Sequence, residues 1–207
     1  MTNNPKIILI GGAPYTGKST TSLMLGNKLN IKQIVDIDVI REVLRGKKTK
    51  SKYPYLYYCS TTAWEHKNKI MTKSRLIQGY KNYCKTLYPS IKRIIDRAYV
   101  LGKDVIIEGV HILPSLYKNY LKRKNLYIFI LFTNGKRHIK NLEQRKEEFR
   151  GKRIKIYQKR LPNARIIQEY LIHEAKRNGA PCIDNEILNH SVNNIISKIV
   201  GRITWKK

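Results

Sequence analysis

The chain has 207 residues and a mass of 24.3 kDa, which fits one ordinary α/β domain or a domain with an inserted lid. Hydrophobic residues make up 42% and charged residues 27%, as in a globular protein, and no apolar run approaches the about 18 residues that cross a bilayer, so a transmembrane role is excluded. Its 42 basic and 14 acidic side chains give a formal net charge of +28, which favours phosphorylated or polyanionic partners unless it reflects only a bias of composition.

The N-terminus and the cysteines indicate the compartment. Residues 1–6 lack the basic start, apolar centre and cleavage site of a signal peptide, so a cytoplasmic protein without a membrane partner is expected. Cys59, Cys84 and Cys182 form no CxxC pair and leave an odd thiol, which predicts neither a disulfide framework nor a zinc site.

Five short apolar runs bounded by polar or glycine residues predict β-strands. They are residues 6–10, 34–36, 105–107, 127–132 and 181–183. Helical patterns separate these runs, and strands that alternate with helices pair in parallel with a helical layer on each face. The predicted fold is therefore α/β, with three αβα layers around a mostly parallel sheet of about five strands.

The organisation of the chain predicts a single domain over residues 1–207, because no linker or internal repeat divides it. The segment from about residue 47 to residue 88 begins with a basic run, and it is predicted to form a helical insertion outside the sheet. The segment from about residue 134 to residue 162 is polar and rich in arginine, and it is predicted to form a helical lid.

Two amphipathic helices have apolar faces that can be predicted. The helix after the second strand is expected to bury Val39, Ile40, Val43 and Leu44 on its inner side. A separate helix is expected over residues 89–98, after the predicted insertion. Both are expected to pack against the central sheet.

The sequence from Gly12 to Ser19 matches the phosphate-binding pattern GxxxxGK[ST] in full, between a predicted strand and a predicted helix. Glycines let successive backbone N–H groups point at a phosphate, and the helix N-terminus adds partial positive charge. Lys18 is expected to reach the β- and γ-phosphate oxygens, and the Ser19 hydroxyl to ligate Mg²⁺. The predicted nucleotide-binding residues are Gly12, Ala13, Pro14, Tyr15, Thr16, Gly17, Lys18, Ser19 and Thr20. This loop alone fits a GTPase, an ATPase or a kinase.

The end of the second strand carries side chains that fit an acceptor site. A carboxylate there opens into the crevice where ligands bind, and Asp38 shares one helix face with Arg41, three residues later. Asp38 can accept the proton of an attacking hydroxyl, and Arg41 can bind an anionic acceptor or stabilise the transferring phosphoryl group. Two alternatives are less favoured: Asp38 only caps the helix, or Asp36 is the base. Arg45 is either a second anion-binding residue or solvated surface.

Glu108 ends the third predicted strand and is followed by Gly109 and His111. P-loop proteins place a carboxylate at this point to orient Mg²⁺ through water, so Ser19 and Glu108 are the predicted metal-binding residues. Alternatively, Glu108 does not bind metal but forms a buried ion pair with Lys18, and this pair would also place Glu108 in the site. His111 is a candidate acceptor contact, although a lone histidine is more often structural. The candidate substrate-binding residues are Asp38, Arg41, Arg45, Glu108 and His111.

An arginine of the predicted lid is expected to contact the γ-phosphate. Small-molecule kinases close a mobile arginine-bearing segment over this phosphate, which excludes water and neutralises developing charge. Arg145 is favoured for this role over the other arginines of the segment, Arg150, Arg153 and Arg160. The predicted catalytic residues are then Lys18, Asp38, Arg41 and Arg145.

Several stretches resemble the archaeal 2-phosphoglycerate kinase family, in order along most of the chain. They are residues 11–20, 38–45, 79–80, 107–114 and 165–171 with Ala175. Residues 38–45 and 107–114 are the specific ones, because a P-loop alone indicates only nucleotide binding. The resemblance implies a P-loop small-molecule kinase that transfers the γ-phosphoryl group of ATP to the 3-hydroxyl of 2-phosphoglycerate, yielding 2,3-bisphosphoglycerate. It also implies that Arg41, Arg45 and nearby lysines bind the acceptor.

Two other functions remain open from the sequence. The spacing of Asp38 and Arg41 behind a P-loop is also similar to polynucleotide 5′-hydroxyl kinases, and residues 57–64 depart from the 2-phosphoglycerate kinase pattern. With the net charge of +28, this keeps RNA or DNA as an alternative acceptor, contacted through the basic surface. A nucleotide-dependent RNA-binding protein without catalysis is the third function. Four tyrosines are either stacking platforms for bases or, as favoured, packing residues: Tyr53, Tyr55, Tyr57 and Tyr58.

Overall fold

The computed structural model describes residues 4–123, 125–144 and 154–204. Within these ranges, five parallel strands form one sheet in the order β2-β3-β1-β4-β5. They are β1 (Ile7–Gly12), β2 (Ile34–Asp36), β3 (Val105–Glu108), β4 (Leu126–Phe132) and β5 (Cys182–Asp184). Each corresponds to a predicted strand, with ends shifted by at most two residues, so the predicted parallel sheet is confirmed.

Helices connect the strands throughout the described ranges. The α-helices are α1 (Lys18–Leu29), α2 (Ile37–Lys47), α3 (Lys73–Leu101), α4 (Lys118–Leu121), α5 (Gly135–Gln144), α6 (Ile154–Arg177) and α7 (Leu188–Thr204). Short 3-10 helices span Pro54–Tyr57, Ala63–His66 and Pro114–Tyr117. Of the helices in these ranges, none is both long and apolar enough to span a bilayer.

The helices form a layer on each face of the sheet, because successive side chains of a strand point to opposite faces. On one face, Ile8 of β1 belongs to a buried cluster with Leu25 of α1 and Ile195 of α7. On the other face, Leu9 belongs to a larger cluster that includes Ile91 of α3 and residues of α6. The predicted three-layer αβα architecture is therefore confirmed.

The third helix, α3, is continuous through Pro89, where the sequence predicted that a new helix begins. A proline inside a helix lacks the N–H group and crowds the carbonyl four residues earlier, so a break was the simpler expectation. Buried residues nevertheless continue at helical spacing on both sides of it: Leu76, Tyr80, Cys84, Leu87, Ile91 and Ile95. All six belong to one hydrophobic core cluster, which explains why the helix continues. The predicted end of the insertion at residue 88 falls inside α3.

The second helix, α2, buries a narrower face than predicted. Ile37 is fully buried and Leu44 packs against the core, but Val39 and Val43 are 59% and 58% exposed. The predicted inner face was therefore wrong for the two valines. Because α2 follows β2, the edge strand of the sheet, the core meets only one side of this helix.

Gly79 of α3 lies where this helix packs against the 3-10 helix Ala63–His66. A Cβ atom at Gly79 would overlap the backbone of Ala63 and Trp64. We therefore expect Gly79→Ala to push the two segments apart and to lower the free energy of unfolding by about 1–3 kcal/mol. Urea-induced unfolding measures this change.

Gly46→Ala is the matched control, because nothing lies within 4 Å of a Cβ atom built at Gly46. Alanine is the better helix former by about 0.8–1 kcal/mol inside a helix, so this variant is expected to be neutral or slightly more stable. Equal stability of the Gly79→Ala variant and the parent protein would contradict the tight contact between α3 and the 3-10 helix.

Candidate active site

A cleft of about 460 Å³ opens at the carboxyl ends of β1, β2 and β3. Small-molecule sites in proteins commonly have volumes of about 300–1,000 Å³. Lys18, Ser19, Asp38, Arg41 and Glu108 all line this cleft. The tertiary structure therefore brings the predicted phosphate-binding, acceptor-binding and metal-binding side chains to one place.

The loop between β1 and α1 has the backbone that a phosphate cradle needs. Gly12 and Gly17 have positive φ angles of 153° and 82°. A Cβ atom at Gly17 would lie 2.5 Å from Nδ2 of Asn185, and one at Gly12 would lie 2.7 Å from the carbonyl oxygen of Leu131. Both positions require glycine for conformational and steric reasons.

The N-terminus of α1 begins directly after this loop, at Lys18, and no side chain of the described residues caps it. Its first N–H groups and the helix dipole together form a site for an anion. Nζ of Lys18 donates a hydrogen bond to the Ala13 carbonyl at 2.9 Å, and the Thr16 hydroxyl donates to the same oxygen at 3.0 Å. These bonds hold the loop in a compact turn with the lysine across it.

The other predicted nucleotide-binding residues fall into two groups. Those that also line the cleft are Pro14, Tyr15, Gly17 and Thr20. Those that are buried are Gly12, Ala13 and Thr16. The buried residues contribute through the shape of the backbone, whereas the cleft-lining residues are placed to contact a ligand.

Glu108 occupies the carboxyl end of β3, in register with Ile10 of β1 and Asp36 of β2. The residue is 4% exposed, and its carboxylate lies close to the Ser19 hydroxyl. Burial raises the pKa of Glu108 above its ordinary value, although Lys18 and Ser19 act in the opposite direction. Adjacent hydroxyl and carboxylate oxygens are ligands that Mg²⁺ takes together with phosphate oxygens, so Ser19 and Glu108 fit this ion.

The raised pKa of Glu108 predicts that its negative charge destabilises the fold. Between the ordinary pKa near 4.5 and the higher value in the folded state, the folded protein binds more protons than the unfolded chain. Stability therefore falls as the pH rises through this window. We expect Glu108→Gln to have a higher Tm than the parent protein at pH 7, without nucleotide or magnesium, and to lose this part of the pH dependence.

Thermal unfolding at several pH values between 4 and 8 tests this expectation. Glu169→Gln is the matched control, because Glu169 is an exposed residue of α6 whose side chain is 61% accessible. The control is expected to change Tm little, since exposed ion pairs contribute about 0–1 kcal/mol. A Glu108→Gln variant that is less stable than the parent at pH 7 would show that the charge of Glu108 supports the fold.

Asp38 and Arg41 lie together at the start of α2. Nη1 of Arg41 is 3.6 Å from Oδ1 of Asp38, and it donates to the Tyr83 hydroxyl at 3.1 Å and to the Tyr58 carbonyl at 3.3 Å. The N-cap of α2 is Asp36, whose Oδ1 accepts a hydrogen bond from the Asp38 N–H at 2.8 Å. The alternative in which Asp38 caps the helix is therefore wrong. The Asp38 side chain is 53% exposed at the cleft, and Arg41 is held beside it by its hydrogen bonds to Tyr83 and Tyr58.

Arg45 and His111, both predicted to bind the substrate, do not line the cleft. Nη1 of Arg45 donates to Oε2 of Glu42 at 2.8 Å, and its guanidinium lies 5.0 Å from the centre of the Tyr57 ring. His111 is fully buried, and its ring centre lies 4.5 Å from that of Tyr83. Burial lowers the pKa of His111 well below its ordinary value, so the ring is neutral near pH 7. His111 thus packs beside the site rather than in it.

The favoured lid arginine, Arg145, lies outside the described residues, as do Arg150 and Arg153. Helices α5 and α6 flank that segment in the chain. Among their described side chains, Arg137 of α5 and Arg160 of α6 line the cleft. Two arginines from the predicted lid region therefore reach the candidate active site.

Side chains that hold the phosphate-binding loop were missed by the sequence reasoning. Nδ2 of Asn185, which follows β5, donates to the Thr16 carbonyl at 2.8 Å. From α5, Nε2 of His138 hydrogen-bonds to the Pro14 carbonyl at 2.6 Å, and Asn141 donates to the next carbonyl at 2.9 Å. The one available signal was the position of Asn185, a polar residue directly after a parallel strand.

The four tyrosines near residue 55 all pack against the larger core cluster: Tyr53, Tyr55, Tyr57 and Tyr58. The Tyr57 hydroxyl donates to the Lys48 carbonyl at 2.6 Å. The ring of Tyr53 lies against Nζ of Lys48, 5.0 Å from the ring centre. The favoured interpretation, in which these tyrosines pack, is confirmed.

Named relatives match this chain along almost its whole length. A 2-phosphoglycerate kinase of Methanopyrus kandleri is 31% identical over 202 residues, which cover 96% of this chain and 62% of that protein. A 2-phosphoglycerate kinase of Methanocaldococcus jannaschii is 31% identical over 208 residues, covering 96% and 64%. The chain is a homologue of archaeal 2-phosphoglycerate kinases. These relatives confirm the predicted resemblance. A separate comparison with models of protein families found no match.

This homologue spans less than two thirds of the length of those archaeal relatives. Its fold is also that of solved P-loop kinases. A gluconokinase of Sinorhizobium meliloti superposes with a TM-score of 0.54 at 12% identity, covering 96% of this chain and 94% of that one. A shikimate kinase of Aquifex aeolicus superposes with a TM-score of 0.50 at 15% identity, covering 95% and 98%. The predicted P-loop kinase fold is confirmed.

Proposed function

We propose that this chain is an ATP- and Mg²⁺-dependent kinase that phosphorylates a hydroxyl of a small phosphorylated acid, with 2-phosphoglycerate as acceptor and 2,3-bisphosphoglycerate as product. The observation that carries the proposal is that Asp38 and Arg41 line the same cleft as Lys18 and Ser19. Transfer to an alcohol requires a base and an anion-binding group beside the phosphate cradle, whereas nucleotide binding alone does not. The names of the archaeal relatives support the choice of acceptor.

The phosphate-binding loop holds the nucleotide in this proposal. The first N–H groups of α1 and the Lys18 ammonium bind the β- and γ-phosphate oxygens. Ser19 and Glu108 would hold Mg²⁺, which neutralises charge on those oxygens when it is bound. Arg137, which lines the cleft, and the predicted Arg145 add positive charge where the phosphoryl group transfers.

The start of α2 holds the acceptor. Asp38 orients the acceptor hydroxyl and takes its proton while the bond from that oxygen to the γ-phosphorus forms. The bond from the γ-phosphorus to the bridging oxygen breaks, and ADP leaves. Arg41, fixed by its bonds to Tyr83 and Tyr58, binds an anionic group of the acceptor.

A labelling experiment tests this function. The protein is incubated with γ-labelled ATP and Mg²⁺, and 2-phosphoglycerate or a 5′-hydroxyl oligonucleotide is offered separately. We expect the label to appear in a bisphosphorylated acid, and not to appear there without Mg²⁺.

The same experiment separates the other functions. Label on the oligonucleotide, with none on the acid, would establish the polynucleotide kinase instead. ATP binding without transfer to either acceptor would contradict a kinase of either kind and would favour a nucleotide-dependent binding protein.

A further inference from the structure

A short segment before α3, Cys59-Ser60-Thr61, forms part of the wall of the cleft on the side of Arg41. All three residues line the cleft, and Nη1 of Arg41 donates to the carbonyl of the preceding residue, Tyr58, at 3.3 Å. Ser60 and Thr61 are 3% and 4% exposed. Polar side chains therefore lie buried at the part of the cleft where the proposed acceptor binds.

A second guanidinium reaches this segment from α6. Nη1 of Arg160 lies 3.5 Å from Sγ of Cys59, and Asn163, three residues later, donates to the Thr61 carbonyl at 3.1 Å. The segment is thus attached to two different helices, to α2 through Arg41 and to α6 through Arg160 and Asn163. Arg160 itself lines the cleft.

Both Arg160 and Ser60 retain hydrogen-bonding capacity toward the cleft. No acidic residue of the described ranges pairs with Arg160, and the sulfur it contacts is a weak acceptor. The Ser60 hydroxyl makes no hydrogen bond to any other described residue, although the residue is almost fully buried. An arginine without an acidic partner and a serine hydroxyl on the same wall of the cleft are together suited to bind an anionic ligand.

We propose that Arg160 and Ser60 form a second anion-binding subsite for the acceptor, next to Arg41. This inference rests on the proposed function, because it concerns the same acceptor. Two guanidinium groups that contact one wall of the cleft favour a short acceptor with two anionic groups, such as a carboxylate and a phosphate on neighbouring carbons. Acceptors that lack either group are expected to be poor substrates.

Kinetics of the Arg160→Ala variant provide the first test. Loss of a charge-assisted contact is expected to raise the KM for 2-phosphoglycerate roughly 10-fold to 100-fold, and to leave the KM for ATP nearly unchanged. Ser60→Ala is expected to raise the same KM by about 2-fold to 10-fold. Arg177→Ala is the matched control, because Arg177 is an exposed arginine of the same helix that does not line the cleft.

Alkylation of Cys59 tests binding without any turnover. The protein is treated with iodoacetamide, with and without 2-phosphoglycerate, and each cysteine peptide is quantified by mass spectrometry. We expect 2-phosphoglycerate to slow modification of Cys59 and to leave Cys182 unaffected, since Cys182 belongs to β5 and does not line the cleft. The Arg160→Ala variant is expected to lose this protection.

The two readouts separate failure of the subsite from failure of the kinase. Phosphoryl transfer with an unchanged KM in Arg160→Ala and no protection of Cys59 would overturn the subsite and leave the kinase intact. Protection of Cys59 that depends on Arg160, without transfer of label to the acid, would support the subsite and overturn the proposed reaction. If Cys59 resists alkylation in the free protein, the KM of the Arg160→Ala variant for 2-phosphoglycerate tests the subsite alone. A raised KM would support the subsite, and an unchanged KM would overturn it.

Discussion

Replacing Asp38 with asparagine is expected to lower kcat by about 10²–10⁴-fold while the Kd for ATP changes little. Asparagine has nearly the same size and keeps an oxygen that can face Arg41, but it cannot take up a proton at neutral pH. The loss therefore isolates proton acceptance from packing. Steady-state kinetics with 2-phosphoglycerate and equilibrium binding of ATP measure the two quantities.

Asp36→Asn is the matched control for this variant. Asp36 also lines the cleft, but it caps α2, and asparagine caps a helix about as well as aspartate. The control is expected to keep most of the parent activity. Nearly normal turnover in Asp38→Asn would remove Asp38 from its proposed role, and a large loss in Asp36→Asn alone would assign the base to Asp36.

Replacing Lys18 with alanine is expected to lower kcat by roughly 10²–10³-fold, the effect typical of losing one preorganised positive or donor group at developing charge. The substitution also removes the hydrogen bond from Nζ to the Ala13 carbonyl, so the Kd for ATP is expected to rise. Single-turnover kinetics with saturating ATP separate the loss of chemistry from the loss of binding.

Lys28→Ala provides the control on the same helix. Lys28 lies at the opposite end of α1, where its Nζ contacts Oδ1 of Asn193 at the surface. This variant carries the same change of charge and is expected to retain activity. If Lys18→Ala kept its activity at saturating ATP, the assignment of the phosphate cradle to this loop would be incorrect.

The position of Glu108 links stability to the proposed activity. Its carboxylate lies buried beside Ser19, where the charge is unfavourable in the protein alone. In the proposed function, a bound cation would supply the compensating charge. The variant Glu108→Gln is accordingly expected to be more stable and less active.

Much of the fold was predictable from local sequence patterns. The strands are short apolar runs, and those of β1, β3 and β4 are almost fully buried. The phosphate-binding loop was predictable for a similar reason, because Gly12 and Gly17 meet a local backbone requirement that few other residues satisfy. Asp38 and Glu108 followed from their positions at the carboxyl ends of predicted parallel strands.

Other features depended on packing between distant parts of the chain. Helix α3 runs through Pro89 because buried residues before and after it belong to the same core cluster, whereas the proline alone predicted a break. The outward position of Val39 and Val43 follows from the place of β2 at the edge of the sheet. The order of the strands in the sheet, β2-β3-β1-β4-β5, also depends on contacts between distant segments, because no single strand or helix specifies its neighbours by its own sequence pattern.

The residues of the candidate site also fall into those that the local sequence predicts and those that only tertiary packing brings together. The sequence alone determined the phosphate-binding loop and the two acidic strand ends, since each depends on neighbours within a few residues. Only the tertiary structure brought Arg160 to the cleft beside Ser60, placed Asn185 against the loop, and left Arg45 with Glu42 outside it. Those contacts join residues far apart in the chain, and the packing of whole helices on the sheet decides which side chains meet.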